Sequence, residues 1–198
     1  MNKNNMIDEM KKTNILNLAN ILTFSRVIIT FVISYLIFSG FNIIYIVLLF
    51  IIGMLTDFFD GIAARKFKIK TEFGRQFDMI ADRILLIGTA FSFLIKFTAS
   101  GILSRNNIFE VFFILSREII SFPMVLIALF MKTGVPEVRF IGKLTTSLQG
   151  VSFPAIMLST SYSFFNFSIS LSILTGIIGA VSGIYYIYDV MKIASIKK

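Results

Sequence analysis

The chain has 198 residues, of which 56% are hydrophobic, with 23 Phe and only 3 Pro. A soluble domain of this length buries only a fraction of so much apolar side chain, so most of it must face lipid or other lipid-facing helices. The net charge of +8 invites a nucleic-acid reading, but the charge is distributed as a topology signal, and no nucleic-acid partner is expected.

Taken in order, Met1 to Asn14 is polar, with a weak amphipathic pattern that allows a short juxtamembrane helix on the inner leaflet. Apolar runs of about 20 residues follow, the length that crosses roughly 30 Å of hydrocarbon as a helix. Six are predicted: Leu18 to Phe38, Asn42 to Ala64, Gln76 to Ala99, Ile108 to Met131, Leu144 to Phe165 and Ser168 to Met191. The first is too long for a signal-peptide core and lacks an evident cleavage site, so it is expected to be retained. With short connections throughout, the expectation is one all-α integral membrane domain spanning residues 1–198.

Basic residues cluster before the first run (Lys3, Lys11, Lys12) and between the second and third (Arg65, Lys66, Lys68, Lys70, Arg75). Further ones lie between the fourth and fifth runs (Lys132, Arg139, Lys143) and after the last (Lys192, Lys197, Lys198), whereas the other side carries only Lys96, near the end of the third run, and Arg105. The positive-inside rule then places both termini in the cytoplasm, in a multi-pass protein of the cell membrane.

Neither Cys nor His is present. That excludes disulfides, thiolate nucleophiles, zinc sites built on His or Cys, and imidazole bases, leaving acid-base work to carboxylates, Lys or Tyr. Against this background Thr56 to Asp82, TDFFDGIAARKFKIKTEFGRQFDMIAD, stands out. Asp57, Asp60, Gly61, Ala64 and Arg65 fall at i, i+3, i+4, i+7 and i+8, on one face of the cytoplasmic end of the second run. Gly74, Asp78 and Asp82 are spaced by four and line one face where the third begins. Joined by the basic turn Lys66 to Phe73, the two faces form a hairpin on which four carboxylates converge.

Carboxylates gathered without cations would repel one another or bind protons. Two divalent ions would neutralise them, and hard oxygen ligands suit Mg²⁺ or Mn²⁺, the usual clamp for phosphoryl chemistry. Gly61, Ala64 and Gly74 leave room for a ligand to approach the backbone, and Arg65 suits a phosphate oxygen. Each aspartate alone also reads as a solvated interfacial charge. The set does not, because Asp78 and Asp82 run into the apolar stretch, where an unpaired charge costs roughly 2.5 to 3.5 kcal/mol at mid-span.

The pattern D57-x-x-D60-G61-x-x-A64-R65, eight residues, then G74-x-x-x-D78-x-x-x-D82 resembles in every fixed position the signature of the CDP-alcohol phosphatidyltransferase family. The resemblance implies a six-helix membrane enzyme that transfers the phosphatidyl group of a CDP-linked lipid to an alcohol and releases CMP. Carried over, Asp57, Asp60, Asp78 and Asp82 look like ligands of two Mg²⁺ or Mn²⁺ ions, with Asp82 also the catalytic base. Asp60, Gly61, Ala64, Arg65 and Gly74 resemble the nucleotide-binding positions. Implied partners are CDP-diacylglycerol or a CDP-linked ether lipid, a small polar alcohol and the membrane lipids.

Three weaker matches bear on the acceptor. N17-L18-A19-N20-I21-L22-T23-F24-S25-R26 resembles the opening of the phosphatidylglycerophosphate synthases, the branch that uses glycerol 3-phosphate. R117-E118 and G142-K143-L144-T145-T146-S147-L148-Q149 resemble segments shared by that branch and the cardiolipin synthases, and S182-G183-I184-x-Y186 extends the match into the last run. Arg26, Arg117, Arg139 and Lys143 are accordingly the candidate cations for an acceptor phosphate. Arg139 and Lys143 read equally as positive-inside charges, and Arg117 beside Glu118 as a structural ion pair. Two departures leave phosphatidylglycerol or an inositol phosphate as alternative acceptors. The usual L-D-P-x-A-D-K is here F77-D78-M79-I80-A81-D82-R83, and Val125 stands where a second arginine usually follows the R-E pair.

Gly176, Gly179 and Gly183 make a small-residue stripe suited to close packing within the chain or, as the alternative, to a homodimer face. Pro123 and Pro154 are expected to kink their helices. Two rivals come from other classes. A cation transporter would place acids near mid-membrane on several spans, whereas these cluster in one hairpin. A non-catalytic lipid-binding relic would be expected to have lost a ligand of the signature, and none is missing.

Overall fold

A computed structural model describes residues 18–67, 72–130, 140–162 and 167–196. The described residues are helices and their connections, without strands: α1 (Leu18–Phe38), α2 (Ile43–Phe67), α3 (Glu72–Ala99), α4 (Arg105–Ile114), α5 (Ser116–Phe130), α6 (Phe140–Ser159) and α7 (Ser168–Ile196). The polar segment Met1 to Asn14 lies outside the described residues. By length and composition, Ser168–Ile193 is long and apolar enough to cross a membrane, while Phe24–Phe38 and Ile43–Thr56 are shorter apolar stretches.

Two helices carry polar side chains on their buried faces and large apolar ones on their exposed faces. On α1, Arg26, Thr30, Ile33 and Ile37 form the buried face at i, i+4, i+7 and i+11, while Phe31 is 70% and Tyr35 71% exposed. On α7 the buried face is Ser168, Ser172, Thr175 and Ser182, with Ile173, Ile177 and Ile184 turned outward. On α7, hydroxyl side chains inside with bulky apolar ones outside is the arrangement expected where lipid is the solvent, since hydrocarbon rewards close helix packing and hydrogen bonding.

The chain divides into two compact units, Met1–Ser92 and Phe93–Lys198, with the boundary inside α3. In the first unit, close approach depends on two glycines. A Cβ on Gly88 of α3 would stand 2.7 Å from Thr30 Cγ2 of α1, and one on Gly53 of α2 would stand 3.0 Å from Leu85 Cδ2. Ser92 donates to Ser34 at 2.9 Å on the same seam. In the second unit α7 packs against α4, α5 and α6. The stripe on α7 is used here: Cβ atoms on Gly176, Gly179 and Gly183 would meet Phe113, Ser116 and Ile120 within 3.0 Å. Ser116 Oγ donates to the Gly176 carbonyl at 3.0 Å.

Several helix boundaries differ from those expected, two of them in ways that bear on the packing. The run from Ile108 to Met131 is interrupted at Leu115, so it forms α4 and α5 rather than one helix. Its proline, Pro123, sits inside α5, as Pro154 does inside α6. The carbonyl of Ile114 at the interruption accepts a 2.8 Å bond from Gln149 Nε2, so a buried side chain from α6 satisfies it. The fifth predicted run, α6, starts earlier and ends earlier than predicted, at Ser159, where Tyr162 N closes a turn onto the Leu158 carbonyl.

Candidate active site

The signature lies on the ends of two helices of the first unit. Asp57, Asp60, Gly61, Ala64 and Arg65 occupy the last three turns of α2, and Gly74, Asp78 and Asp82 the first three of α3. Uninterrupted helix through both segments gives the expected register, with each set along one face. The side chains of Asp57, Asp60, Ala64, Arg65 and Asp78 lie outside the described residues. Among the described residues there is no group of three or more acidic, Cys or His side chains suited to a metal. The donor set in the helical register is oxygen only, which fits Mg²⁺ or Mn²⁺ and not a soft metal.

Asp82 is the member whose side chain is described. It accepts from Arg26 Nη1, an ion pair that joins α1 to α3. The Asp82 side chain is 34% exposed and that of Arg26 0%. Arg26 Nε also lies 3.4 Å from Thr56 Oγ1, and the Thr56 hydroxyl donates to the Gly53 carbonyl at 2.7 Å. Thr56 precedes Asp57 directly, so Arg26 meets both aspartate-bearing helices. Nothing in the sequence reading singled out Thr56, although a hydroxyl one residue before the signature was the available signal.

The other candidate cations belong to the second unit. Arg117 Nη1 donates to Thr146 Oγ1 at 2.8 Å and lies 3.4 Å from the Gly142 carbonyl, with Glu118 Oε1 at 3.9 Å. Glu118 is buried, and Gln149 Nε2 lies 3.5 Å from its carboxylate. The R117-E118 pair and the G142 to Q149 segment, far apart in sequence, thus meet in one polar network. Lys143 is exposed on α6. Arg139 lies outside the described residues. Val125 is a core residue, 2% exposed.

The family model for CDP-alcohol phosphatidyltransferase matches residues 16–185, and the chain belongs to that family. It is therefore a phosphatidyltransferase of phospholipid biosynthesis. Its relatives include the CDP-diacylglycerol–glycerol-3-phosphate 3-phosphatidyltransferase of Rickettsia typhi (strain ATCC VR-144 / Wilmington), 34% identical over 148 residues that cover 73% of this chain and 78% of the relative. The protein of the same name from Wigglesworthia glossinidia brevipalpis is 30% identical over 176 residues, covering 87% of this chain and 94% of that one. That from Aquifex aeolicus (strain VF5) is 30% identical over 167 residues, covering 84% and 88%.

Proposed function

We propose that this chain transfers the phosphatidyl group of CDP-diacylglycerol to glycerol 3-phosphate, releasing CMP, as a single six-span membrane domain with both termini and the active site cytoplasmic. The observation that carries the reading is the complete signature on the ends of α2 and α3. Relatives covering most of the chain, whose names specify glycerol 3-phosphate, support the acceptor.

The reaction balances as a displacement at phosphorus. The acceptor hydroxyl oxygen bonds to the phosphorus that carries the diacylglycerol, the bond from that phosphorus to the bridging oxygen breaks, and CMP leaves with the bridging oxygen. Asp82 takes the proton of the attacking hydroxyl; its carboxylate is partly exposed and is paired with Arg26. Asp60, Gly61, Ala64, Arg65 and Gly74 bind the nucleotide, with small residues admitting it close to the backbone and Arg65 opposing its phosphate charge. Two Mg²⁺ or Mn²⁺ ions, held by Asp57, Asp60, Asp78 and Asp82, supply neutralisation of the pyrophosphate charge when bound. Arg117, Arg139 and Lys143 hold the acceptor phosphate. A site at the membrane edge suits the substrates, whose acyl chains stay in lipid while the acceptor arrives from water.

The test is CMP release by the purified protein in detergent with CDP-diacylglycerol and Mg²⁺ or Mn²⁺, acceptors being added one at a time. Release stimulated by glycerol 3-phosphate supports the reading. Release only with phosphatidylglycerol or an inositol phosphate keeps the chemistry and overturns the acceptor. No release with any acceptor, from a folded sample given either an ester-linked or an ether-linked CDP lipid, overturns the enzyme reading.

A further inference from the structure

We infer that Arg26 is a positioning residue for Asp82, clamping the two aspartate-bearing helices, and does not hold the acceptor phosphate. The inference rests on the reading of Asp82 as the base, and it starts from accessibility. The Arg26 side chain is 0% exposed, while the carboxylate it pairs with is 34% exposed. A phosphate arriving from water therefore meets Asp82 before it meets Arg26. To reach the guanidinium it would have to displace a carboxylate already bonded there, breaking the ion pair of a buried guanidinium.

The second argument is the shape of the contact. One nitrogen of the guanidinium donates to Asp82 on α3, and another faces Thr56 on α2, one residue before Asp57. Because the Thr56 hydroxyl proton is committed to the Gly53 carbonyl, the oxygen can present a lone pair to Arg26. A planar guanidinium holds two partners in set directions, which a single ammonium point charge does not. Arg26 thereby restrains the rotation of the Asp82 carboxylate and ties the α2 end of the signature to its α3 end. For a carboxylate that must meet a hydroxyl proton within hydrogen-bond reach, that restraint bears on rate rather than on substrate affinity.

The experiment compares steady-state CMP release by the purified full chain and its Arg26→Gln, Arg26→Lys, Thr56→Val and Asp82→Asn variants, expressed per folded molecule, with glycerol 3-phosphate varied. Arg26→Gln is expected to lower kcat about a hundredfold, the scale of a misplaced catalytic group. Its KM for glycerol 3-phosphate should stay within about threefold of the parent, since the lost interaction is not acceptor binding. Arg26→Lys, which keeps the charge but not the fork, should recover part of the rate. Thr56→Val is isosteric and changes no charge, so it reports even where Arg26→Gln fails to fold; it should lower kcat several-fold at unchanged KM. A tenfold or greater rise in KM with kcat retained would make Arg26 an acceptor ligand and overturn the inference. A normal kcat per folded molecule in both Arg26→Gln and Thr56→Val would reduce the clamp to a folding contact and overturn it as well. Asp82→Asn separates the two levels: if it keeps a normal rate, the reading of Asp82 as base is what has failed. If it is inactive while Arg26→Gln raises only KM, only the positioning role is lost.

Discussion

Asp82 and Asp78 stand one helical turn apart on α3, and the proposed mechanism gives them different work. Replacing Asp82 by Asn keeps the shape and a hydrogen-bonding group but removes the proton acceptor, so CMP release should fall by about 10²- to 10⁴-fold, the usual range for a general base. Asp78→Asn should abolish transfer too, for loss of a metal ligand rather than a base. Both variants should still fold and elute as the parent does on size exclusion, and normal CMP release by either would remove that residue from the site. Lys143 carries a different expectation. It is exposed on α6, and the proposed mechanism gives it a contact with the acceptor phosphate. Lys143→Ala should raise KM for glycerol 3-phosphate about tenfold with kcat nearly unchanged, as expected when a binding contact is lost equally from the ground and transition states.

At the scale of the helices, stability depends on how closely backbones approach. A Cβ on Gly176 would meet Phe113 Cβ at 3.0 Å and the Phe113 carbonyl at 3.2 Å, neither of which can swing away as a side-chain end can. Gly176→Ala should therefore destabilise the protein by about 1 to 3 kcal/mol, the cost of overpacking, read as a lower thermal midpoint in detergent. Ile177→Ala, at the 60% exposed neighbouring position, should change it little. Gln149→Leu should cost about 1 to 3 kcal/mol as well, by leaving the Ile114 carbonyl and the buried Glu118 without the amide they face. These contacts also mark the limit of what was legible in the sequence. The end of α1 agrees with the end of the apolar run at Phe38 because Ser39 and Gly40, with φ +70°, end it sharply. The break at Leu115 was hidden, since no Pro or Gly stands there and the buried face, Val111, Ile114, Glu118, Ser121 and Val125, keeps its helical spacing across the interruption. The early end of α6 was hidden by Phe164 and Phe165, which extend the apolar run beyond the helix. In the site, the signature was legible because local spacing encodes it, whereas the pairing of Arg26 with Asp82 joins residues 56 apart and depends on packing.

At the scale of the whole chain, the proposed orientation follows from where the lysines and arginines fall, and the absence of cysteine makes it directly testable. Single cysteines introduced into the protein have no background. Ser39, Ser100 and Ser161 are exposed in connections after α1, α3 and α6. Ser195 is exposed near the end of α7, and its hydroxyl donates to the Lys192 carbonyl at 2.8 Å. If the N-terminus is cytoplasmic and six segments cross, the first three positions face outward and Ser195 inward. A membrane-impermeant maleimide added to intact cells should label Ser39→Cys, Ser100→Cys and Ser161→Cys, and should label Ser195→Cys only after permeabilisation. The result bears on mechanism as well as topology, because α2 and α3 meet on the same side as Ser195 in this arrangement, placing the aspartates where CDP headgroups and a charged acceptor are available. Labelling of Ser195→Cys from outside would reverse the orientation. Labelling of Ser100→Cys from the side opposite to Ser39→Cys would break the pairing of α2 and α3 as a hairpin spanning the membrane, and with it the proposed convergence of their carboxylates.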